Sequence, residues 1–301
     1  MSSSLRIVRS DGAEMTFDGE YRGGWTIAEE GMVDWLDLPL EVTTSPNVLS
    51  DGSSVVGKRV DECERTVEAF FPARAGDIGN ARREISSFLN PKFSFECHLT
   101  HYGVTRWAPG ELTEVQCEIV AEGRTVELTF TLLCPDPYLR SEDGNESYLT
   151  DAVPMLGWPF VSHFRAPLPN GEKKPVGFLA SKLIFDGKNT IYNNGDVETT
   201  YTIRCECDGE IQNPTFTKDG RFVRMLGTYN AGDVITIDFT AAPPSVTLNG
   251  DNAIQAASRD SNFTGMQMQT GANIFNYSCD NEANRPLMNV QILFWRKYMG
   301  I

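Results

Sequence analysis

The best local match to a chemical motif is Gly52-Ser-Ser-Val-Val-Gly57-Lys58, which keeps phosphate-loop spacing up to its last position. Arg59 then stands where a Ser or Thr would hold magnesium. The flanks fail too. TTSPNVLSDG is turn-like and VDECERTV reads as a strand, whereas a phosphate loop joins a buried strand to a helix. The segment is predicted to be a loop between two strands. His98 and His101 could offer two imidazoles, but on a strand that spacing points them to opposite faces. His163 is the only other histidine, so a three-ligand zinc site would need that distant residue. Surface histidines are the expectation.

The same scarcity argues against Ser-His-Asp and Cys-His triads, and there is no GxSxG elbow. Cys63, Cys97, Cys117, Cys134, Cys205, Cys207 and Cys279 contain no CxxC pair, so zinc-ribbon and thioredoxin readings fail. They read as reduced, buried thiols. Cys205 and Cys207 share one strand face. Among 41 acids some carboxylate pairs always fall at glycosidase-like separations, and nothing singles out two of them. Trp158, Phe160, Tyr192 and Trp295 could stack on sugars, although aromatics mostly fill cores. Asn-x-Ser/Thr triplets at Asn145, Asn262 and Asn276 matter only in a secreted protein. The expectation is no catalytic residue, no cofactor and no metal.

The elements that would position any site are mostly strands. The 301 residues suggest about two domains. At 41% hydrophobic and 22% charged, the chain reads as globular rather than disordered. No stretch is long and apolar enough for a membrane helix, and the first thirty residues lack the apolar run of a secretory signal, so export by that route is not expected. Net charge is −15; residues 1–140 hold 13 basic and 23 acidic side chains, so the first half is the more acidic. A phosphate-gripping role is not expected without a basic block.

SLRIVRS, EMTFDG, PLEVTT, KFSFECHL, TRW, ELTEVQCEIV and RTVELTFTLLC alternate or are β-branched. GKRVDECERTVEAFF reads as one half-exposed strand with Val60, Glu62, Glu64, Thr66 and Glu68 on one face. GDIGNARREISSFLNP is the exception. Ile78, Ala81, Ile85, Phe88 and Leu89 lie on one helical face, Asp77 caps the start, and Asn90-Pro91 ends it. The first half is predicted to be a β-sandwich or barrel with one packed helix. Two prolines in CPDPYLR stop the last strand and mark a junction. The expected division is residues 1–139, a linker or loop-rich extension over 140–180, and a second antiparallel β-sandwich over 181–301, whose last strand could pack on either domain.

CPDPYLRS after a strand, SDGSSVVGKRVDECERTVEAFF, ARREISSFLNP, IYNNGDVETTYTIRCECDGEIQNPTFT, YNAGDVITIDFT and FWRKYMGI together resemble the distal tail (Dit) protein family of phages with long, non-contractile tails. Cys134-Pro135-Asp136-Pro137-Tyr138 resembles the end of the family's N-terminal domain. SDGSSVVGKRVDECERTVEAFF resembles its glycine-containing loop leading into a long strand, and ARREISSFLNP the helix that follows. IYNNGDVETTYTIRCECDGEIQNPTFT resembles the start of the family's galectin-like domain, with Thr200-Tyr201 where a proline is common. YNAGDVITIDFT, containing Gly232 and Asp233, then SVTLNG, DSNF and QTGANIFNY follow in the family's order. FWRKYMGI, with Trp295 and Tyr298, resembles its C-terminal strand. TDAVPMLGWPFVSHFRAPLPNGEKKPVG has no counterpart.

The resemblance implies a structural, non-enzymatic virion protein assembled in the bacterial cytoplasm. Six copies would form a ring at the distal tail end. Their N-terminal domains would close the ring and their galectin-like domains would project outward. The implied partners are the tail tube, the tail-tip or tail-associated lysin protein, and receptor-binding or baseplate proteins. DNA would pass through the channel without being bound, and an acidic lumen would let it slide. Two other readings stay open on the residues alone. One is a module binding host cell-wall saccharide through Trp158 and Phe160. The other is a β-sandwich glycoside hydrolase.

Overall fold

The computed structural model describes residues 3–32, 35, 38–47, 51–120, 122, 124–149, 152–156, 165–167, 173–175, 181–185 and 189–301. The chain forms two units. The first comprises residues 1–144, 195–197 and 295–301; the second comprises 145–194 and 198–294. The chain thus leaves the first unit after Gly144, re-enters it over residues 195–197 and ends in it with its last seven residues.

The first unit is built from β1 (Ser4–Arg9), β2 (Glu14–Asp18), β3 (Thr26–Ile27), β4 (Leu40–Pro46), β5 (Ser53–Val60), β6 (Cys63–Pro72), α1 (Ile78–Phe88), β7 (Ser94–His101), β8 (Val104–Val120), β9 (Thr125–Cys134) and β10 (Leu139–Ser141). Its sheet runs β8-β7-β1-β2-β3-β6-β9, and β9 pairs back onto β8, which closes a seven-stranded barrel. Closure abolishes the open edges a sandwich would leave. β10 pairs with β8, and the C-terminal strand Lys297–Tyr298 pairs with β10. The ending of the chain therefore belongs to the first unit.

Alternation directs the packing. In β9, Val126, Leu128, Phe130, Leu132 and Cys134 are buried while the residues between them face outward. They meet Leu5, Ile7, Phe17, Val67, Phe95 and Leu99 in one core, with Phe17 against Phe130 at 5.6 Å. α1 covers part of this core with Ala81, Ile85 and Phe88, the face its spacing predicts. Asp77 accepts from the backbone N–H of Gly79 at 2.8 Å and of Asn80 at 3.2 Å. Asp77→Ala is therefore expected to cost about 1 kcal/mol in urea unfolding. A midpoint unchanged within error would remove the cap from the account.

Two sequence expectations change. GKRVDECERTVEAFF is two strands: β5 ends at Val60 and β6 begins at Cys63, with Asp61-Glu62 between them. Conversely, TRW and ELTEVQCEIV are one 17-residue strand, β8, whose register shifts between Leu112 and Glu114. Such an irregularity bends a strand, and the bend lets β8 serve β7 at one end and β9 at the other.

The second unit is an antiparallel sandwich. A six-stranded sheet orders Asn145–Leu149, Met288–Phe294, Tyr201–Cys207, Val234–Asp238, Ser245–Leu248 and Asp251–Asn252. A four-stranded sheet orders Asn189–Asn193, Gly271–Ser278, Thr215–Lys218 and Arg221–Arg224. Buried Ile203, Cys205, Ile235, Ile237, Val290 and Ile292 pack with Phe216, Val223, Phe275 and Tyr277 between the sheets. Two turns, Asp219-Gly220 and Asn249-Gly250, have positive φ at both central residues, as the tightest hairpins require. Over 150–180 the sequence reads as loop, yet the described backbone holds nested pairs, Ala152–Leu156 with Ser181–Phe185 and Arg165–Pro167 with Lys173–Pro175.

Candidate functional site

The most unusual surface of the first unit is the β4–β5 hairpin. Among the described residues these strands pair only with each other. Every residue of β4 is exposed, and in β5 only Gly57 and Val60 are half-buried. Yet the pattern is that of a strand meant to be covered. Leu40, Val42 and Thr44 lie on one face with Val55, and Leu40 is 68% exposed, Val42 52% and Val55 55%. Arg59 bridges Glu41 at 2.6 Å and Asp61 at 2.8 Å, which steadies the base. A two-stranded hairpin alone in water is marginal. Its apolar residues and free edges suit it to pairing with another chain. The phosphate-loop spacing falls here, with Gly52 before β5 and Gly57-Lys58 inside it, so no helix follows to receive a phosphate.

The motif at the end of β9 is a clasp within the first unit. Asp136 accepts from Arg140 Nη2 and from Lys297 Nζ, each at 2.9 Å. Burial alone would raise the Asp136 pKa; the two cations outweigh it and hold the carboxyl below the ordinary 3.8. Pro137 O accepts from the fully buried Arg65 at 2.8 Å. Lys297 sits over the Tyr138 ring, Arg106 over Tyr298, and Arg140 over Trp107. Trp107 meets Trp295 edge to face at 6.2 Å and donates from Nε1 to Ser141 O at 2.8 Å. Pro135 is exposed. Asp136, Pro137, Tyr138, Trp295 and Tyr298 therefore act together, fastening β10 and the chain's end to the barrel.

A third feature is charge. On the outer face of β6, β9 and β8 the opposed rows are Glu64–Leu133–Glu111, Thr66–Thr131–Glu114, Glu68–Thr129–Gln116 and Phe70–Glu127–Glu118. This face carries six glutamates and no Lys or Arg, and each of the six is exposed.

In the second unit the motif residues hold turns. Asp233, beside Gly232, accepts from Asn230 N at 2.8 Å and from Asn249 Nδ2 at 2.9 Å, which lowers its pKa. Asn249 Oδ1 accepts from Val234 N, so two turns are locked together. Asn273, fully buried, accepts from Gln269 N and donates to Gln269 O and Gly271 O. Tyr201 packs between Phe239 and Phe275 at 5.0 and 5.2 Å. Tyr192 is 58% exposed. Trp158 and Phe160 lie outside the described residues, as does His163.

His98 and His101 correct an expectation: they are half-buried rather than on the surface, with His98 stacked on Trp107 and His101 Nδ1 2.6 Å from Ser3 Oγ. That Ser-His pair borders a cavity of about 760 Å³, but among the described residues no carboxylate hydrogen-bonds the other ring nitrogen of His101. No cluster of three His, Cys, Asp or Glu side chains is placed to hold a metal among them. Cys117 is half-exposed and the other six thiols are buried and unbridged. Sequence reasoning missed the hairpin's isolation and the pairing of Asp136 with Lys297, 161 positions away, because neither leaves a local signal.

Residues 194–296 match the family described as siphovirus-type tail component, C-terminal domain. No curated protein matches the chain. Among solved structures, the crystal structure of phage SPP1 Dit, a paradigm of the hub adsorption apparatus in phages infecting Gram-positive hosts, superposes with a TM-score of 0.63. Identity is 14%, over 97% of this chain and 98% of that one. A chain of the phage P2 baseplate in its activated conformation with Ca gives 0.57 at 10% identity, covering all of both chains. The same baseplate with Sr gives 0.57 at 11%, over 99% of each. The chain thus shares the fold of these tail-hub structures over nearly its whole length, and its residues 194–296 match the family of siphovirus-type tail components.

Proposed function

We propose that this chain is the hub subunit of a phage tail, six copies closing a ring at the tail's distal end. The observation that carries the reading is the β4–β5 hairpin, an apolar, unpaired β-ribbon on a barrel that has otherwise closed its own edges. Reaching from each copy to the next, it repeats one heterologous contact around the axis, and such a contact closes into a ring when the rotation permits. The tail tube would stack on one side of the ring and the tail-tip or lysin protein on the other. The galectin-like unit would hold receptor-binding or baseplate proteins. DNA would cross the bore, and the six-glutamate face of β6, β9 and β8 supplies the lining that repels phosphate. A bore lined by Lys and Arg in the assembled ring would contradict that assignment.

The protein would do no chemistry and would reside in the virion after cytoplasmic assembly. Gold-labelled antibodies to the chain should decorate tailed particles only at the tail's distal tip. Label along the tail or on the head would overturn the placement.

A further inference from the structure

Cys63 and Cys134 face each other across β6 and β9, as direct partners in the antiparallel register. Cys63 is the first residue of β6 and Cys134 the last of β9, so the pair closes the end of that ladder. Directly opposed residues hold their Cα atoms roughly 4.5–5.5 Å apart, inside the span a disulfide bridges. The two side chains share a small apolar cluster with Ala108 and Leu139. Gly110 leaves room beside the sulfur: a Cβ there would lie 3.6 Å from Cys134 Sγ and 3.3 Å from Leu132 Cβ. Cys205 and Cys207 differ. Two positions along one extended strand put their Cα atoms about 6.6 Å or more apart, near the upper limit of that span.

The second observation is the cation beside the pair. Arg65 is 1% exposed, its Nη2 serves Pro137 O, and among the described residues its Nε and Nη1 have no hydrogen-bond partner. A buried guanidinium without an anion is costly. Two positions along β6, on the same face, the Cys63 sulfur lies close enough for the Arg65 charge to favour its thiolate form. Donation from the Cys134 thiol, then the charge of Arg65, lower the Cys63 pKa despite its burial. Cys134, which keeps the shared proton, moves up. Cys97, fully buried, is pushed up to about 12 and stays inert.

We propose that Cys63 and Cys134 are a latent disulfide, closed by a low-molecular-weight disulfide to staple β6 to β9 beside the clasp. The Cys63 thiolate attacks one sulfur of oxidised glutathione; the S–S bond breaks and one glutathione thiolate leaves, taking up a proton. Cys134 gives its proton to solvent and attacks the Cys63 sulfur of the mixed disulfide, releasing the second glutathione. Two protein thiols are oxidised and one glutathione disulfide is reduced.

The full chain would be incubated with oxidised glutathione, its free thiols alkylated, and the unreduced digest mapped by mass. The expected result is a Cys63 peptide linked to a Cys134 peptide, with the other five cysteines alkylated. The melting temperature should rise by roughly 5–10 °C and fall back with dithiothreitol. Cys134→Ser should instead stop at a glutathione adduct on Cys63. Seven alkylated cysteines, or a link joining other pairs, would overturn the proposal.

Discussion

Replacing Asp136 by alanine is expected to destabilise the first unit by about 3 kcal/mol. The carboxylate is 19% exposed and is shared by Arg140, 24% exposed, and Lys297, 16% exposed. Removing it strands two half-buried cations on the same side of the barrel, and their repulsion adds to the lost hydrogen bonds. A surface pair would cost a fraction of that. The pH dependence has a definite sign. Because the folded-state pKa of Asp136 is depressed below 3.8, its contribution is present above about pH 4 and is lost as pH falls through the folded value. Urea midpoints of wild type and D136A should therefore differ widely at pH 7 and converge on acidification. A gap that persists unchanged at low pH would mean the residue acts through packing.

The second large effect concerns assembly. Changing Leu40, Val42 and Val55 together to aspartate should convert the assembled species to monomer at micromolar concentration. Each side chain is more than half exposed in the single chain, so its intramolecular contribution is small. Burying three of them against a neighbour is worth several kcal/mol, and three carboxylates in their place add a desolvation penalty. The change in mass should come with little change in melting temperature of the dissociated chain. If the triple variant assembles as the wild type does, the hairpin is not the ring contact. If it is simply unfolded by circular dichroism, single substitution Val42→Asp gives a milder test of the same contact.

Much of this architecture could be read locally. The helix declared itself through Ile78, Ala81, Ile85 and Phe88 on one face, with Asp77 in front and Asn90-Pro91 behind. The Asp219-Gly220 and Asn249-Gly250 turns mark themselves by residue type. What was hidden depends on partners far away in sequence. Leu40, Val42 and Val55 carry a buried-strand pattern on an exposed ribbon that no described residue of the chain covers. Closure of the barrel rests on the pairing of β8 with β9 after a register shift, which alternation alone does not reveal. The clasp joins Trp107 to Trp295 and Asp136 to Lys297, so the CPDPYLR motif could be recognised but not explained. Arg65 shows the same limit. Its position in an alternating strand predicts that it points inward, and only the fold shows which thiols it meets.

The measurement that bears most directly on the ring is the solution mass of the purified chain by light scattering, with negative-stain images of the same peak. Six copies of a 33.4 kDa chain give about 200 kDa and a ring with a central hole; two stacked rings give twice that mass. Either result is the one predicted. A 33.4 kDa species that persists at high concentration, and that gains no mass when mixed with tail-tube protein, would contradict a ring built by the chain itself.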